Sequence, residues 1–299
     1  MCGIVGLFLK RQDLFSELGR MFAPMLAEMT DRGPDSAGVA IYSRPQESLT
    51  KITAFNPDPE FNWKTLCDEI GLALDVELRP APVDTHCVIL TNGHVGAVAE
   101  LLESCNDGMQ VMSVGSAMEI YKETGLPDDV ISRFGITERG GSHAVGHTRM
   151  ATESAVTTAG SHPFSTGADV CLVHNGSLSN HNRLRERLER TAGMRFRTEN
   201  DTEVAAGFIT SRLVAGRSLH DALEDCIDAL DGFYTFVAGT SDGFAVLRDP
   251  IACKPAVLAE TEDFVAFGSE YRALSSLPGI ESARVWEPEP AIVYSWKID

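Results

Sequence analysis

A cysteine at position 2, followed by Gly3 and the apolar run Ile4, Val5, Leu7, Phe8 and Leu9, is the first candidate for chemistry in this chain. Methionine is usually trimmed when the next residue is small, which leaves Cys2 with a free α-amine beside its thiol. An unperturbed α-amine has a pKa of roughly 7.7–8.0, so at neutral pH a useful fraction can take the thiol proton, directly or through a water. Nucleophile and base then belong to one residue. Alone, such a cysteine is more often a structural residue of a strand near the N-terminus. Attack on an amide carbonyl also needs donors for the developing oxyanion. The stretch "HNGSLSN" (174–180) supplies the Asn175 carboxamide, and Gly176 lets the backbone approach without a Cβ in the way. The same Asn-Gly pair is an ordinary hairpin-turn signal. An amino-acid substrate further needs its carboxylate and ammonium held. Arg149 in "GHTRMAT" can grip a carboxylate with two prongs, and Asp201 in "ENDTE" can meet an ammonium. The plainer readings are a structural ion pair for Arg149 and a helix N-cap for Asp201.

These residues need elements to bring them together. Residues 2–9 read as a strand, and helical spacing of Leu18, Met21, Phe22, Met25, Leu26 and Met29 predicts a helix over roughly 16–29. "TDRGPDSAG" (30–38) is a turn-rich loop and "VAIY" (39–42) the next strand. Region 45–140 has short strand patterns in "KITAF", "VELRP", "THCVIL" and "MQVMSV", with helix patterns in "VGAVAELLE" and "SAMEIYKE"; it reads as an α+β insertion. Helices follow over roughly 180–191, from Asp201 to about 214, and from Ser218, where Asp221 makes an imperfect capping box, to near Gly232. The rest alternates strand and turn, with "SDG" a hairpin signal. Strands at both ends of the chain with helices between them predict an α+β protein of layered antiparallel sheets.

Composition narrows the function. A length of 299 residues allows a large buried core, and a net charge of −18 argues against nucleic acid or an anionic membrane as partner. The seven cysteines contain no CxxC pair, which disfavours a disulfide framework, a zinc ribbon or an iron–sulfur cluster and fits a reducing cytoplasm. The N-terminal apolar run is too short to span a membrane, has no basic residue before it as a signal peptide would, and lacks the glycine that myristoylation requires. Five of the eight histidines fall between His143 and His181, and His143 and His147 are four apart. The surrounding glycines argue against the helix that spacing would need, and no carboxylate or cysteine completes a ligand set, so no metal is expected.

Taken together, "CGIVG", "RGPDSAG" (32–38), "GHTRMAT" (146–152), "HPF" (162–164), "HNGSLSN" and "NDTE" (200–203) resemble, in order, the motifs of the class II glutamine amidotransferases. The resemblance covers residues 2–299 apart from the 45–140 region, which is longer than in compact members. It implies an N-terminal-nucleophile hydrolase αββα sandwich carrying an α+β insertion. It also implies Cys2 as nucleophile, Asn175 and Gly176 as oxyanion hole, Arg149 and Asp201 as clamps for the glutamine carboxylate and ammonium, and Thr152 and His174 as pocket residues. Arg32 and Asp35 would order the loop around the nucleophile. "NDTE" departs from the commoner "SDTE" but keeps Asp201. Such domains are usually fused to a synthase that consumes the ammonia, and here no phosphoribosyl, pyrophosphatase or sugar-isomerase signature follows. The expectation is therefore a stand-alone glutaminase subunit handing ammonia to a partner. The arrangement most resembles the small amidotransferase subunits of glutamate-synthase-like systems, N-methylglutamate synthase included. There a flavin (FMN) would sit on a partner, since this chain has no loop suited to a flavin or nucleotide. The rivals are a catalytically silent subunit of the same fold, which the intact Cys2, Asn175, Arg149 and Asp201 disfavour, and another N-terminal-nucleophile amidase, which would not need the Arg149 and Asp201 pair.

Overall fold

A computed structural model describes the chain except for Met1, Glu47, Asn106, Asp107, Thr152, Glu153, Ser154 and Asp299. Its first strand, Gly3–Leu9, is buried along its whole length because both faces are covered. Ile4 and Phe8 point into a layer between two sheets, while Val5, Leu7 and Leu9 meet helices on the opposite face. That double burial is why the segment reads as a continuous apolar run instead of an alternation.

The first sheet has seven strands in the spatial order Arg284–Trp286, Val257–Glu260, Phe264–Gly268, Gly3–Leu9, His143–Arg149, Ser36–Tyr42 and Met118–Thr124. The second has five, in the order Val293–Lys297, Gly243–Arg248, Gly232–Thr240, Val170–Leu178 and Phe164–Gly167. Every neighbouring pair is antiparallel. Helix Leu18–Ala27 covers the outer face of the first sheet with Phe22, Met25 and Leu26. Helices His181–Ala192, Asp201–Val214 and Leu219–Ala229 cover that of the second. The result is the αββα sandwich expected. Ser218 and Asp221 make both arms of a capping box, so the shorter Asp serves where Glu is usual.

A third, four-stranded antiparallel sheet, Leu78–Val83, His86–Thr91, Thr50–Phe55 and Gln110–Gly115, forms most of the insertion. It shares a core with helices Trp63–Leu74 and Val95–Cys105, built from Ile52, Trp63, Ile70, Ile89, Val98 and Leu102. Helix Trp63–Leu74 and the short helix Pro127–Arg133 have no counterpart in the sequence reading. One assignment is overturned. "SAMEIYKE" is not a helix; Met118–Thr124 is the edge strand of the main seven-stranded sheet, paired with Ser36–Tyr42. Met118 and Ile120 enter the layer between the sheets while Tyr121 faces the helical side, the period of two that a strand demands. Ala, Met, Glu and Lys favour a helix locally, and pairing with a strand some eighty residues away outweighs that preference. The expected 45–140 insertion therefore contains a strand of the main body. Asp169 fastens the junction: its carboxylate accepts the backbone N–H groups of Ser116, Ala117 and Met118 at 2.8, 2.9 and 2.9 Å.

Two histidines bridge the sheets. From strand His143–Arg149, His143 Nε2 donates to the carbonyl of Thr240 at 3.0 Å and His147 Nε2 to that of His174 at 3.1 Å. Burial pushes both rings down to about 3, and the buried His86 likewise. These folded-state values lie below the unfolded value, so the unfolded chain binds the extra protons. Stability is full above about pH 6.5 and is lost as pH falls toward 3, by up to about 1.4 kcal/mol per pH unit for each ring. Urea unfolding at pH 7, 6 and 5 should show that decline, and a flat profile would contradict it.

Candidate active site

Cys2 stands at the end of the first strand, half-buried. The strand is pinned beside it: Ile4 N–H donates to Ser269 Oγ, and Ser269 N–H donates back to the Ile4 carbonyl, both at 2.9 Å. A Cβ on Gly3 would lie 2.7 Å from Thr148 Oγ1 and 2.8 Å from Met29 Cβ, so only glycine follows the cysteine without displacement. Two side chains converge on the Cys2 carbonyl: Arg32 Nε at 3.0 Å and Asn175 Nδ2 at 3.2 Å. Arg32 is itself held by Glu270 at 2.5 Å. Asp35 ties the same loop to the neighbouring strand end. Its N–H donates to the Arg149 carbonyl at 3.1 Å, and its carboxylate accepts from Ala151 N–H at 2.7 Å.

Asn175 and Gly176 are inside strand Val170–Leu178, opposite Thr235 and Tyr234, so the hairpin-turn alternative for this pair is overturned. The strand leaves no room for a side chain at 176, where a Cβ would come within 2.0 Å of the Phe233 carbonyl. Beyond this strand, helix Asp201–Val214 is capped by Asn200, whose side chain accepts from Thr202 N–H at 2.9 Å. Asp201 is therefore the first helical residue and not the N-cap. Its carboxylate accepts from Leu178 N–H at 2.9 Å and lies 3.6 Å from His174 Nδ1. Burial alone would raise this carboxyl, but His174 and the Leu178 N–H outweigh it and hold it at about 2. It is ionised at any working pH.

Arg149 ends strand His143–Arg149, almost buried, with Nη1 donating to the Gly160 carbonyl at 3.2 Å and toward that of Ala155 at 3.5 Å. Arg149 and Asp201 line one cleft of about 650 Å³, together with Ser177, His181 and Arg197. Cys2 and Asn175 are not part of that lining and connect to it through Gly176 and Ser177. A cation and an anion facing one cleft suit a zwitterion, with Cys2 at the end of the strand paired to that of Arg149. His174 takes part through a hydrogen-bonded cluster: its Nδ1 and His162 Nε2 share Thr202 Oγ1 at 3.0 and 2.8 Å, and His162 stacks on His147 at 4.0 Å. Thr152, the remaining candidate, lies outside the described residues.

The sequence reading missed Ser269 and Glu270, which have no motif of their own and reach the site only through pairing with the first strand. Ser177 and His181 sat within reach, inside "HNGSLSNHN".

Residues 147–276 match the sequence model of a family described as a glutamine amidotransferase domain. Over 297 residues the chain is 56% identical to the glutamine amidotransferase-like protein GlxB of Rhizobium meliloti (strain 1021), covering 99% of this chain and 98% of the relative. Among solved structures, all of this chain superposes on the glutamine phosphoribosylpyrophosphate amidotransferase of B. subtilis with a TM-score of 0.61 and 20% identity. The chain spans 49% of that protein, and at this identity the likeness shows a shared fold.

Proposed function

We propose that this chain, which belongs to the class II glutamine amidotransferase family, hydrolyses the side-chain amide of glutamine through Cys2 and delivers the ammonia to a partner synthase. The carrying observation is the placement of Asn175 Nδ2 3.2 Å from the Cys2 carbonyl, beside a cleft where Arg149 faces Asp201. Glutamine then lies with its carboxylate toward Arg149 and its ammonium toward Asp201, which extends its side-chain amide toward Cys2. With Met1 removed, the Cys2 α-amine takes the thiol proton as sulfur attacks the amide carbon. The oxyanion is held by Asn175 Nδ2 and the Gly176 N–H. The α-ammonium returns the proton to the leaving nitrogen, ammonia departs, and water then cleaves the glutamyl thioester to free glutamate and the thiol. His174 and the "RGPDS" residues Arg32 and Asp35 act by holding Asp201, Cys2 and Arg149 in place.

Ammonia set free in water is protonated and loses its nucleophilicity, which favours direct transfer to a bound partner. A glutamate-synthase-like or N-methylglutamate-synthase-like assembly, with flavin on another polypeptide, is the reading the sequence motifs support best.

Incubated with glutamine, the purified chain should release glutamate and ammonia in equal amounts. A glutamine analogue electrophilic at its side-chain carbonyl should label Cys2 alone, in a chain whose intact mass lacks Met1. Arg149→Ala should raise KM for glutamine about 10–100-fold with kcat little changed. Labelling elsewhere, a retained Met1, or an unchanged KM would each remove the corresponding part of the mechanism. A silent subunit would hydrolyse nothing, and a different amidase would prefer substrates without a free α-amino acid end.

A further inference from the structure

Residues 155–163 form one wall of the Arg149 and Asp201 cleft, contributing Ala155, Thr157, Ala159 and Gly160 to its lining. This wall has no regular secondary structure, so its position depends on where its backbone carbonyls are bonded. Two cations take five of them, while Ser161 takes those of Thr157 and Thr158 through its hydroxyl and its N–H. Arg149 Nη1 donates to Gly160 and toward Ala155, as above. Lys122, from strand Met118–Thr124, donates through Nζ to Ala159 at 3.1 Å, Ser161 at 2.8 Å and Pro163 at 3.3 Å. Its neighbour Glu123 accepts from the Thr158 hydroxyl, adding a further stitch from the same strand.

Lys122 is buried at 4% exposure, over the Phe164 ring at 4.7 Å, and no step of the proposed reaction uses it. Burial brings its ammonium down to about 7, with Glu203 partly opposing that shift. Glu203 is itself engaged with the N–H groups of Arg197 and Thr198 at 2.9 and 2.8 Å. A buried lysine satisfied by three neutral carbonyls is a costly way to fill space, and an apolar side chain of the same length would fill it more cheaply. What the lysine provides is a fixed path for the loop that Arg149 grips from the cleft.

We infer that Lys122 is a positioning residue, which sets wall 155–163 so that the Arg149 guanidinium is presented to the carboxylate of the substrate. This rests on the glutaminase reading for the identity of that substrate, but the loop effect can be measured without it. Lys122→Met keeps the length and removes the donors; Lys122→Arg restores a cation. Lys122→Met should raise KM for glutamine about tenfold or more while kcat stays within about threefold, and Lys122→Arg should recover part of the loss. Reaction of Cys2 with iodoacetamide, which needs no amino-acid cleft, should be unchanged when followed on the Cys2 peptide, apart from the exposed Cys105 and Cys253 that also react. Amide hydrogen exchange in Lys122→Met should speed up in 155–163 and not in strand Gly3–Leu9. An unchanged KM, a parallel loss of kcat and iodoacetamide reactivity, or unaltered exchange in 155–163 would overturn the inference. Were the parent chain to leave glutamine intact, the proposed function would fall, and the exchange result alone would still decide the role of Lys122.

Discussion

Cys2→Ala should reduce glutamine hydrolysis to background, a loss of at least about 10³-fold in kcat, while the fold stays intact. The structure separates the two outcomes. Arg32 Nε and Asn175 Nδ2 bond the backbone carbonyl of Cys2 and not its sulfur, so alanine keeps both contacts. Strand Gly3–Leu9 is anchored from Ile4 onward by Ser269 and by core packing on both faces. Truncating one half-buried thiol at its end should move stability by no more than about 1 kcal/mol. No other cysteine is placed to substitute. Cys67, Cys87 and Cys171 are buried, and burial pushes their thiols up to about 11, 12 and 11. Cys226 is raised further. Cys105 and Cys253 are exposed and open to general alkylating agents, so labelling must use a glutamine-shaped reagent. Cys2→Ser is the informative companion: its hydroxyl is far less acidic than a thiol, so it should bind glutamine and turn it over at a small residual rate. Ammonia release within tenfold of the parent rate in Cys2→Ala would show that the nucleophile is elsewhere.

Much of this is legible in the sequence alone, and the parts that are not share a physical cause. The layered antiparallel sheets follow from strong apolar runs, the αββα arrangement follows from the family resemblance, and the Cys2, Arg149, Asn175 and Asp201 quartet lies in short polar stretches next to those runs. The misreadings arise where a distant partner decides. "SAMEIYKE" pairs with Ser36–Tyr42, and only that pairing makes it a strand. Asn175-Gly176 is a turn by local rule but lies in mid-strand because Thr235 and Tyr234 stand opposite. Asn200 takes the cap that Asp201 could have taken, which frees the Asp201 carboxylate to meet Leu178 and the cleft. Lys122 is invisible for the same reason: a lysine in a charged segment reads as solvated surface until the fold lays residues 159–163 across it.

Asn175→Ala should lower kcat about 10²–10³-fold with KM nearly unchanged, the size expected for one oxyanion donor. Asn175 is 3% exposed and its backbone is fixed opposite Thr235, so its buried carboxamide is held toward Cys2 by the packing around it. In the resting state Nδ2 donates to the Cys2 carbonyl, a bond that Arg32 shares and that alanine can forgo. The donor is thus already in place, and catalysis asks only that it donate to a stronger acceptor when the oxyanion forms. That is a gain in the transition state over the ground state, which appears in kcat and not in KM. Residual activity should persist, because the Gly176 N–H remains. Gly176→Ala is a poorer probe of the same hole, since its Cβ would meet the Phe233 carbonyl at 2.0 Å and shift the strand itself. Asn175→Asp should be worse than alanine: it has the same shape, but it removes the donor and sets a carboxylate where negative charge must develop. Steady-state kinetics on both variants, with melting temperatures to show that each is folded, would test this. A loss under about fivefold in Asn175→Ala, or one confined to KM, would move the oxyanion hole away from this strand.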